Sequence, residues 1–393
     1  MVLAQNIEFP RIQTRYTADE VAELADVIRT AETYSMGPQL AALESAFADY
    51  LGVEYAVGVS SCTAALELVA TELQLQPGDE VIIPAHTFTS SALPFLRRGC
   101  RLVWAEICPD AWVMDPSDVQ RKVTQRTRAI VAVHLYGRPV EMNPLVELAA
   151  RHDLALVEDC AQAPGATYRG RKVGTIGDFG CFSFHSQKHV CALGEGGLLV
   201  TRSARAHERV LGLRKIGSRP YGPRERYWVP AMSNVVEAVP GELPFNFALG
   251  EVQAAAARLT LRRLDATNRR RHEQAGFLRD RLRAFPDLRF QDIPHHMESA
   301  YHLLPASYTA PGRSRDDLIE LLFTRYGIQC AVQFYPLYNY ELFRRNGYTE
   351  HTCPISDAFF DSMISIPFWT DMEDDTLHYL GDSLARALES LRR

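Results

Sequence analysis

The chain lacks any apolar run that approaches the roughly 18 to 20 residues of a membrane-spanning helix. It also lacks an excess of positive charge, because 42 Lys and Arg stand against 48 Asp and Glu and give a net charge of −6. A domain that binds nucleic acid is normally basic. These two absences indicate a protein that contacts neither a membrane nor a nucleic acid.

Paired cysteines are missing as well. Eight cysteines are scattered along the chain without a CxxC pair, which indicates reduced, packed thiols rather than a disulfide framework. The start of the chain, MVLAQNIEFPRIQTRYTADE, has no basic region followed by an apolar one, as a secretory signal would require. We therefore expect a cytoplasmic protein.

Short apolar stretches alternate with helical patterns along much of the chain. With 393 residues, 47% of them hydrophobic, the protein can bury a large core and is long enough for about two domains. Such alternation predicts a mainly parallel sheet covered by helices, with ligand groups at the strand ends. The seven predicted strands are YAVGVS, VIIP, RLVWAEI, AIVAVHLYG, LALVED, CFSF and LLVT.

One lysine needs a chemical explanation. It lies in FSFHSQKHVCALGEGG (residues 182–197), which reads as a strand, a polar turn with Lys188, and a Gly-rich connection into the next strand. An ammonium flanked by Phe182, Phe184 and Val190 would lose hydration unless it is paired or covalently bound. A lone lysine in such a place is more often a surface group whose stem covers apolar neighbours.

A second segment favours the chemical role. In LALVEDCAQAPGA (residues 154–166), an apolar strand delivers Asp159 and then Gln162 into a turn. A lysine and an acid at neighbouring strand ends suit pyridoxal 5'-phosphate (PLP), since the lysine bonds to its aldehyde and the acid keeps its ring nitrogen protonated. Lys188 is the candidate for the first role and Asp159 for the second.

A phosphate site is predicted where the strand YAVGVS feeds the helix SSCTAALELVATEL. A strand that turns into a helix through small residues presents free backbone N–H groups and the positive end of the helix dipole. Ser61, Cys62 and Thr63 form this predicted phosphate cup. Serine and threonine also simply cap helices in most proteins.

Several motifs together resemble one known family. VEDCAQAPGA, GDFGCFSFHSQK, LGEGGLLVT and AIVAVHLYGRPVEM are similar to motifs of the DegT/DnrJ/EryC1/StrS family of PLP-dependent sugar aminotransferases, and the similarity runs from about residue 34 to the C-terminus. The resemblance implies an α/β protein of PLP-transferase fold type I, with a mainly parallel seven-stranded sheet and a smaller C-terminal α+β domain. We expect residues 1–250 to form an N-terminal segment and the large PLP-binding domain, and residues 251–393 a linking helix and the small domain. The helical pattern runs from residue 251 to about 283, before Pro286, and strands of the small domain are predicted near YHLLPASY and IQCAVQFYP.

The resemblance also implies roles for individual residues. Lys188 and Asp159 are expected to be catalytic, and both would contact the cofactor. The other expected cofactor-binding residues are Cys62, where many family members have glycine, Thr63, Phe88 stacked on the pyridine ring, Gln162 facing the ring, Ser183 on the phosphate, and Asn246.

Asn246 carries the prediction of a homodimer with shared active sites. By resemblance, it reaches across the interface to the partner's cofactor phosphate, although Ala248 stands where the family usually has arginine. The preceding stretch, residues 214–241, is rich in Pro, Gly, Arg and Tyr without a clear period. A loop of that length is usually functional or flexible, so we expect it to border the active site.

Other features leave alternatives open. His134 ends a strand and is either a site residue or a satisfied core histidine, whereas His185 and His189 have helical metal-pair spacing but no accompanying acid, so no metal is expected. GEGGLL lacks the third glycine of a dinucleotide fingerprint. The arginines at 262, 263, 269, 270 and 271 form either a solvated helix face or a surface that attracts a nucleotide diphosphate. Tyr338 replaces the histidine of a family Pro-Leu-His motif, which bears on substrate choice.

The resulting prediction is an aminotransferase that moves an amino group from glutamate or glutamine to a keto sugar, which we expect to be nucleotide-linked, or to a keto cyclitol. Its setting would be amino-sugar, antibiotic or other secondary-metabolite biosynthesis. One alternative is a PLP- or pyridoxamine-phosphate-dependent sugar dehydratase of the same fold, which would have histidine in place of Lys188. Another is a PLP-binding regulatory protein without turnover.

Overall fold

The computed structural model describes residues 6–218 and 235–392. Part of the loop expected to border the active site, residues 219–234, lies outside this described part. Within it, no helix is both long and apolar enough to cross a membrane.

The described chain alternates strands and helices. The strands are β1 (Tyr55–Val59), β2 (Glu80–Pro84), β3 (Arg101–Ala105), β4 (Thr127–Val133), β5 (Ala155–Asp159), β6 (Thr167–Tyr168), β7 (Arg171–Lys172), β8 (Phe179–Ser183), β9 (Gly197–Thr201), β10 (Leu288–Phe290), β11 (Met297–Glu298), β12 (Leu304–Tyr308) and β13 (Met363–Ile366). The α-helices are α1 (Ala18–Thr30), α2 (Pro38–Leu51), α3 (Cys62–Glu72), α4 (Leu93–Arg97), α5 (Pro116–Lys122), α6 (Met142–His152), α7 (Ala204–Arg214), α8 (Glu251–Arg262), α9 (Leu264–Leu282), α10 (Arg315–Tyr326), α11 (Glu341–Arg345), α12 (Pro354–Ser362) and α13 (Asp374–Leu391).

A seven-stranded sheet in the order β1-β9-β8-β5-β4-β2-β3 forms the centre of the fold. The pairs β8-β5, β5-β4, β4-β2 and β2-β3 are parallel, and β9 is antiparallel to both of its neighbours. Strands β2, β8 and β9 are buried along their whole length, as expected where helices cover both faces. The predicted α/β fold with a mainly parallel seven-stranded sheet is confirmed, and all seven predicted strands belong to this sheet.

The first two helices follow local sequence signals. Thr17 caps α1 through a reciprocal capping box with Glu20, the arrangement that the TADE motif predicts. Helix α2 buries Leu40, Leu43 and Phe47 against the main core. Both helices pack against α8, so this early part of the chain is fixed to the middle of the sequence.

A second, smaller sheet in the order β10-β12-β13 is antiparallel throughout. A separate hydrophobic cluster surrounds it, with contributions from α9, α10 and α13. Part of the C-terminal region belongs to the main core instead, because Tyr338, Phe343 and Phe359 pack into that cluster. The domain boundary between residues 250 and 251 stays a prediction.

One local prediction holds with a break, and another was wrong. The helical stretch predicted from residue 251 to about 283 is present as α8 and α9, but it is divided at Arg263, whose backbone leaves the helical region while its guanidinium binds Glu20 and the Arg15 carbonyl. The strand predicted in IQCAVQFYP is reduced to single bridges at Ile328 and Ala331. After Ala331 the chain turns away from the sheet and brings residues 333 and 334 to a cavity.

Candidate active site

A cavity of about 410 Å³ lies at the carboxyl ends of β4, β5 and β8 and beside the first residues of α3. The carboxyl ends of parallel strands meet at one edge of a sheet, which is why side chains distant in sequence converge there. Seven of the eight predicted site residues line this cavity: Cys62, Thr63, Phe88, Asp159, Gln162, Ser183 and Lys188. The eighth, Asn246, is exposed and does not line it.

Lys188 lies in the connection between β8 and β9. Hydrogen bonds between Phe184 and Gly196 and between Ser186 and Gly194 close this loop, and the Lys188 N–H donates to the His185 carbonyl at 2.8 Å. Burial lowers the pKa of the Lys188 amine to about 8, and the charge of Asp159 opposes this shift only in part. A lysine in this environment is an effective nucleophile and proton carrier near neutral pH.

Asp159 is the last residue of β5, and its carboxylate is buried and held on both oxygens. Ser91 donates to Oδ2 at 2.7 Å, the Ala161 N–H donates to Oδ1 at 3.0 Å, and the Cys62 thiol lies 3.9 Å from Oδ1. Burial, reinforced by the nearby Asp159 charge, raises the pKa of Cys62 well above its usual range. Cys62 is therefore a neutral thiol that faces the carboxylate.

The predicted phosphate cup is the N-terminus of α3. Ser61 caps this helix, since its side chain accepts the Ala64 N–H at 3.0 Å. The backbone N–H groups of Cys62 and Thr63 precede the first intrahelical hydrogen bonds and are available to an anion. Gly197 passes so close that an added Cβ would lie 2.5 Å from the Cys62 nitrogen. Only glycine lets β9 press against the cup.

Aromatic and amide groups form the walls between Lys188 and Asp159. Phe88 is 52% exposed and contacts Phe334 edge to face at 5.8 Å. The Gln162 carbonyl oxygen accepts the Tyr136 N–H at 2.7 Å, which fixes the orientation of the amide beside the cavity. This combination of an apolar ring and an oriented amide can enclose a flat heterocycle.

His302 forms the opposite wall and was not among the predicted site residues. Its Nε2 lies 3.4 Å from the Lys188 Nζ. Burial lowers the pKa of His302 well below its usual range, and the neighbouring cations Lys188 and Arg271 lower it further. His302 is therefore a neutral imidazole beside the candidate catalytic amine.

Arg271 anchors this wall. Its side chain is fully buried and donates to the carbonyls of Tyr301 and His302 at 2.7 and 2.8 Å and to Gln13 Oε1 at 3.0 Å. The expectation of a solvated arginine face is thus wrong for Arg271. Three of the other arginines form ion pairs, Arg262 with Glu23, Arg263 with Glu20 and Arg270 with Asp374, and Arg269 is exposed.

His134 lies in the core, whereas His185 borders the cavity. His134 is a satisfied core histidine, because its Nε2 contacts Glu158 at 3.0 Å and its Nδ1 accepts the Val140 N–H at 3.0 Å. His134, Glu158 and Cys160 also lie close enough together to bind a metal ion, but both oxygens of Glu158 already accept backbone N–H groups. His185 lines the cavity and lies 3.7 Å from Glu195.

Tyr338 does not border the cavity. It is buried, and the single hydrogen of its hydroxyl is shared between two acceptors, Asp357 Oδ1 at 2.9 Å and the Cys353 carbonyl at 3.1 Å. The substitution of tyrosine in the Pro-Leu-His motif therefore serves core packing and gives no direct contact with a substrate in this cavity.

The donor set of the cavity fits pyridoxal phosphate. Lys188 offers a buried amine for an aldehyde and Asp159 a buried carboxylate for a protonated ring nitrogen. Free backbone N–H groups at the start of α3 and the Ser183 hydroxyl suit a phosphate, and the approach permitted by Gly197 keeps that end of the cavity narrow. Phe88 and Gln162 provide contacts for the ring.

Comparison with known proteins gives consistent results. The family model of the DegT/DnrJ/EryC1/StrS aminotransferases matches residues 15–385. UDP-N-acetyl-3-dehydro-alpha-D-glucosamine 3-aminotransferase of Acidithiobacillus ferrooxidans is 31% identical over 98% of this chain and 100% of its own length. The dTDP-3-amino-3,4,6-trideoxy-alpha-D-glucose transaminase of Streptomyces venezuelae is 34% identical over 91% of this chain and 88% of its own. The crystal structure of S. venezuelae DesV superposes with a TM-score of 0.85 at 33% identity, over 95% of each chain.

Proposed function

The chain belongs to the DegT/DnrJ/EryC1/StrS aminotransferase family, and we propose that it uses PLP to move an amino group from glutamate or glutamine to a keto sugar carried on a nucleoside diphosphate. The aminotransferase activity follows from the family. The sugar nucleotide is supported by the names of the two relatives, which specify UDP- and dTDP-linked sugars. A free keto sugar or a keto cyclitol is the competing class of acceptor.

One observation carries the proposal. A single cavity holds the Lys188 amine and the Asp159 carboxylate. Burial lowers the pKa of the amine to about 8, and two hydrogen bonds orient the carboxylate. PLP, when bound, supplies a ring that accepts the electrons left on carbon when a proton departs. Asp159 is assigned to hold the proton on the ring nitrogen, and the Lys188 Nζ to take and return the proton at carbon.

The remaining cavity residues are assigned to bind the cofactor and fix its orientation. The N–H groups of Cys62 and Thr63 and the Ser183 hydroxyl are assigned to the phosphate, Phe88 to one face of the ring and Gln162 to the region beside Asp159. Lys188 argues against the sugar dehydratase alternative, because that reaction would place histidine at this position. The eight free cysteines support a reducing cytoplasmic setting.

We also infer a homodimer with shared active sites. Asn246 is exposed, and its backbone bridges to Lys215 outside the cavity of its own chain. This position is consistent with contact to the cofactor phosphate of a partner subunit. The described ends of the preceding loop, up to residue 218 and from residue 235, pair with each other through Ser218 and Val235.

Half-transamination tests the proposal. The purified protein loaded with PLP should be yellow, should lose that absorbance when glutamate or glutamine is added, and should release the corresponding keto acid. Lys188→Ala should show none of these three properties, whereas Lys172→Ala, which changes a lysine stacked on Tyr50, should behave as the parent. Retention of the yellow form with every amino donor would refute the proposal. A panel of UDP- and dTDP-linked keto sugars, free keto sugars and inososes then identifies the acceptor.

A further inference from the structure

His302 faces the Lys188 amine from an element that is separate in sequence from the rest of the cavity floor. Asp159, Ser183 and Cys62 come from the ends of the large sheet and the start of α3, whereas His302 precedes β12 of the smaller sheet. Its Nε2 is 3.4 Å from the Lys188 Nζ and lies within hydrogen-bond reach of it. His302 is only 5% exposed, so water does not compete freely for this contact.

The position of His302 is fixed through its backbone. Arg271 donates to the carbonyls of both Tyr301 and His302, and the Arg271 guanidinium lies 4.2 Å from the centre of the Phe368 ring. In the described part of the chain, no carboxylate forms an ion pair with Arg271. A buried cation costs free energy unless hydrogen bonds compensate it. The structure uses that cation to hold two consecutive carbonyl groups beside the active site.

We propose that His302 is a positioning residue for the reaction, whose neutral Nε2 accepts an N–H from the Lys188 nitrogen and thereby fixes the direction in which that nitrogen exchanges protons with the substrate. This inference rests on the proposed function of Lys188. It requires the imidazole tautomer that carries its proton on Nδ1.

The surroundings favour an acceptor rather than a proton donor. Burial and the charges of Lys188 and Arg271 lower the pKa of His302, which His189 and His185 also face, so the imidazole stays neutral while Lys188 gains or loses a proton. On the other side, Lys188 faces Asp159, Cys62 and Glu195. His302 is thus the uncharged hydrogen-bond acceptor placed within 3.4 Å of the lysine nitrogen.

The test compares His302→Leu, which removes the acceptor, with His302→Gln, whose amide can reach the position of Nε2. The first measurement is the pH midpoint of the visible absorbance of the PLP-loaded protein. An acceptor stabilises the protonated form of the Lys188 nitrogen, so His302→Leu should shift the midpoint to lower pH by about one unit, the effect of one hydrogen bond to a charged group. His302→Gln should restore most of the shift.

The second measurement is the single-turnover rate with an amino donor deuterated at the carbon that loses its proton. In His302→Leu the rate should fall at least about tenfold and the isotope effect should increase, because proton transfer becomes more limiting. PLP affinity should change by less than about threefold, since the phosphate and ring contacts are unaltered. His295→Leu, at an exposed histidine of the same segment, is the matched control.

An unchanged pH midpoint and an unchanged isotope effect in His302→Leu would overturn the inference. Loss of PLP loading in both His302 variants would also overturn it, because that result indicates a purely structural role. Failure of the proposed function is distinguishable from these outcomes. In that case the parent protein itself would not form the yellow species on Lys188.

Discussion

Ser91 donates its hydroxyl hydrogen to Asp159 Oδ2 at 2.7 Å in a fully buried setting. The Thr87 Oγ1 lies 3.1 Å from the Ser91 Oγ, so two hydrogen-bonded hydroxyl groups lead to the carboxylate that is assigned to the cofactor ring. The bond fixes the plane of the carboxylate and stabilises its charge.

Replacing Ser91 should therefore weaken cofactor binding. In Ser91→Ala the buried Oδ2 loses its donor, and we expect PLP affinity to fall about tenfold to a hundredfold, the equivalent of one hydrogen bond to a charged group. Fluorescence titration with PLP measures this. Thr89→Ala, in the same turn but outside the cavity lining, is the control, and equal affinities for the two variants would contradict the role of Ser91.

The lowered pKa of Lys188 predicts how fast the cofactor-free protein captures PLP. Only the neutral amine attacks the aldehyde, so the rate should rise with pH through about 8 and then level. The chain has only four lysines, at positions 122, 172, 188 and 215. Borohydride reduction followed by peptide mapping therefore assigns the label directly. A rate that climbs tenfold per unit up to about pH 10, as for an ordinary lysine, would contradict the prediction.

Shared active sites predict complementation between two inactive variants. Lys188→Ala lacks the amine, and Asn246→Asp places a carboxylate where the partner's cofactor phosphate is expected, so each homodimer should be inactive or nearly so. A mixed dimer contains one site with Lys188 from one chain and Asn246 from the other. Co-expression with two different tags, followed by purification on both, should recover up to about half of the parent activity per dimer. Mixed dimers as inactive as the pure variants would exclude sharing through Asn246.

Arg271 should contribute strongly to stability. Arg271→Met leaves the buried carbonyls of Tyr301 and His302 without their donor, and we expect the free energy of unfolding to fall by about 2 to 4 kcal/mol. Urea unfolding of the cofactor-free protein measures it. Arg269→Met, an exposed position on the same helix, should change stability by no more than about 0.5 kcal/mol. Equal losses in the two variants would contradict the anchoring role.

Much of the large domain could be predicted from the sequence, because the signals there are local. Buried parallel strands require short apolar runs, and all seven such runs became strands of one sheet. The capping box at Thr17 depends on residues three positions apart. Asp159 ends β5 and Lys188 lies in the loop after β8, so the parallel pairing of these two strands brings both residues to one edge of the sheet.

The errors occur where distant contacts decide the structure. Arg263 has good helix propensity, yet its ion pair with Glu20 accompanies a break between α8 and α9. Ser91 has no sequence signal, because its partner Asp159 is 68 residues away. Arg271 was grouped with its exposed neighbours, since burial beside Tyr301 depends on how the smaller sheet packs.

Strand β9 has a further consequence. Because it reverses direction and its first residue, Gly197, presses against Cys62, the loop that carries Lys188 is tethered at both ends to the same rigid block as the phosphate cup. His302 is held against the same part of the fold, because the N–H groups of Ala300 and Leu303 on either side of it donate to the carbonyls of Gly137 and Tyr136. Main-chain contacts thus connect the lysine loop, the phosphate cup and the His302 backbone, so a side-chain substitution elsewhere in the cavity should leave their relative positions unchanged.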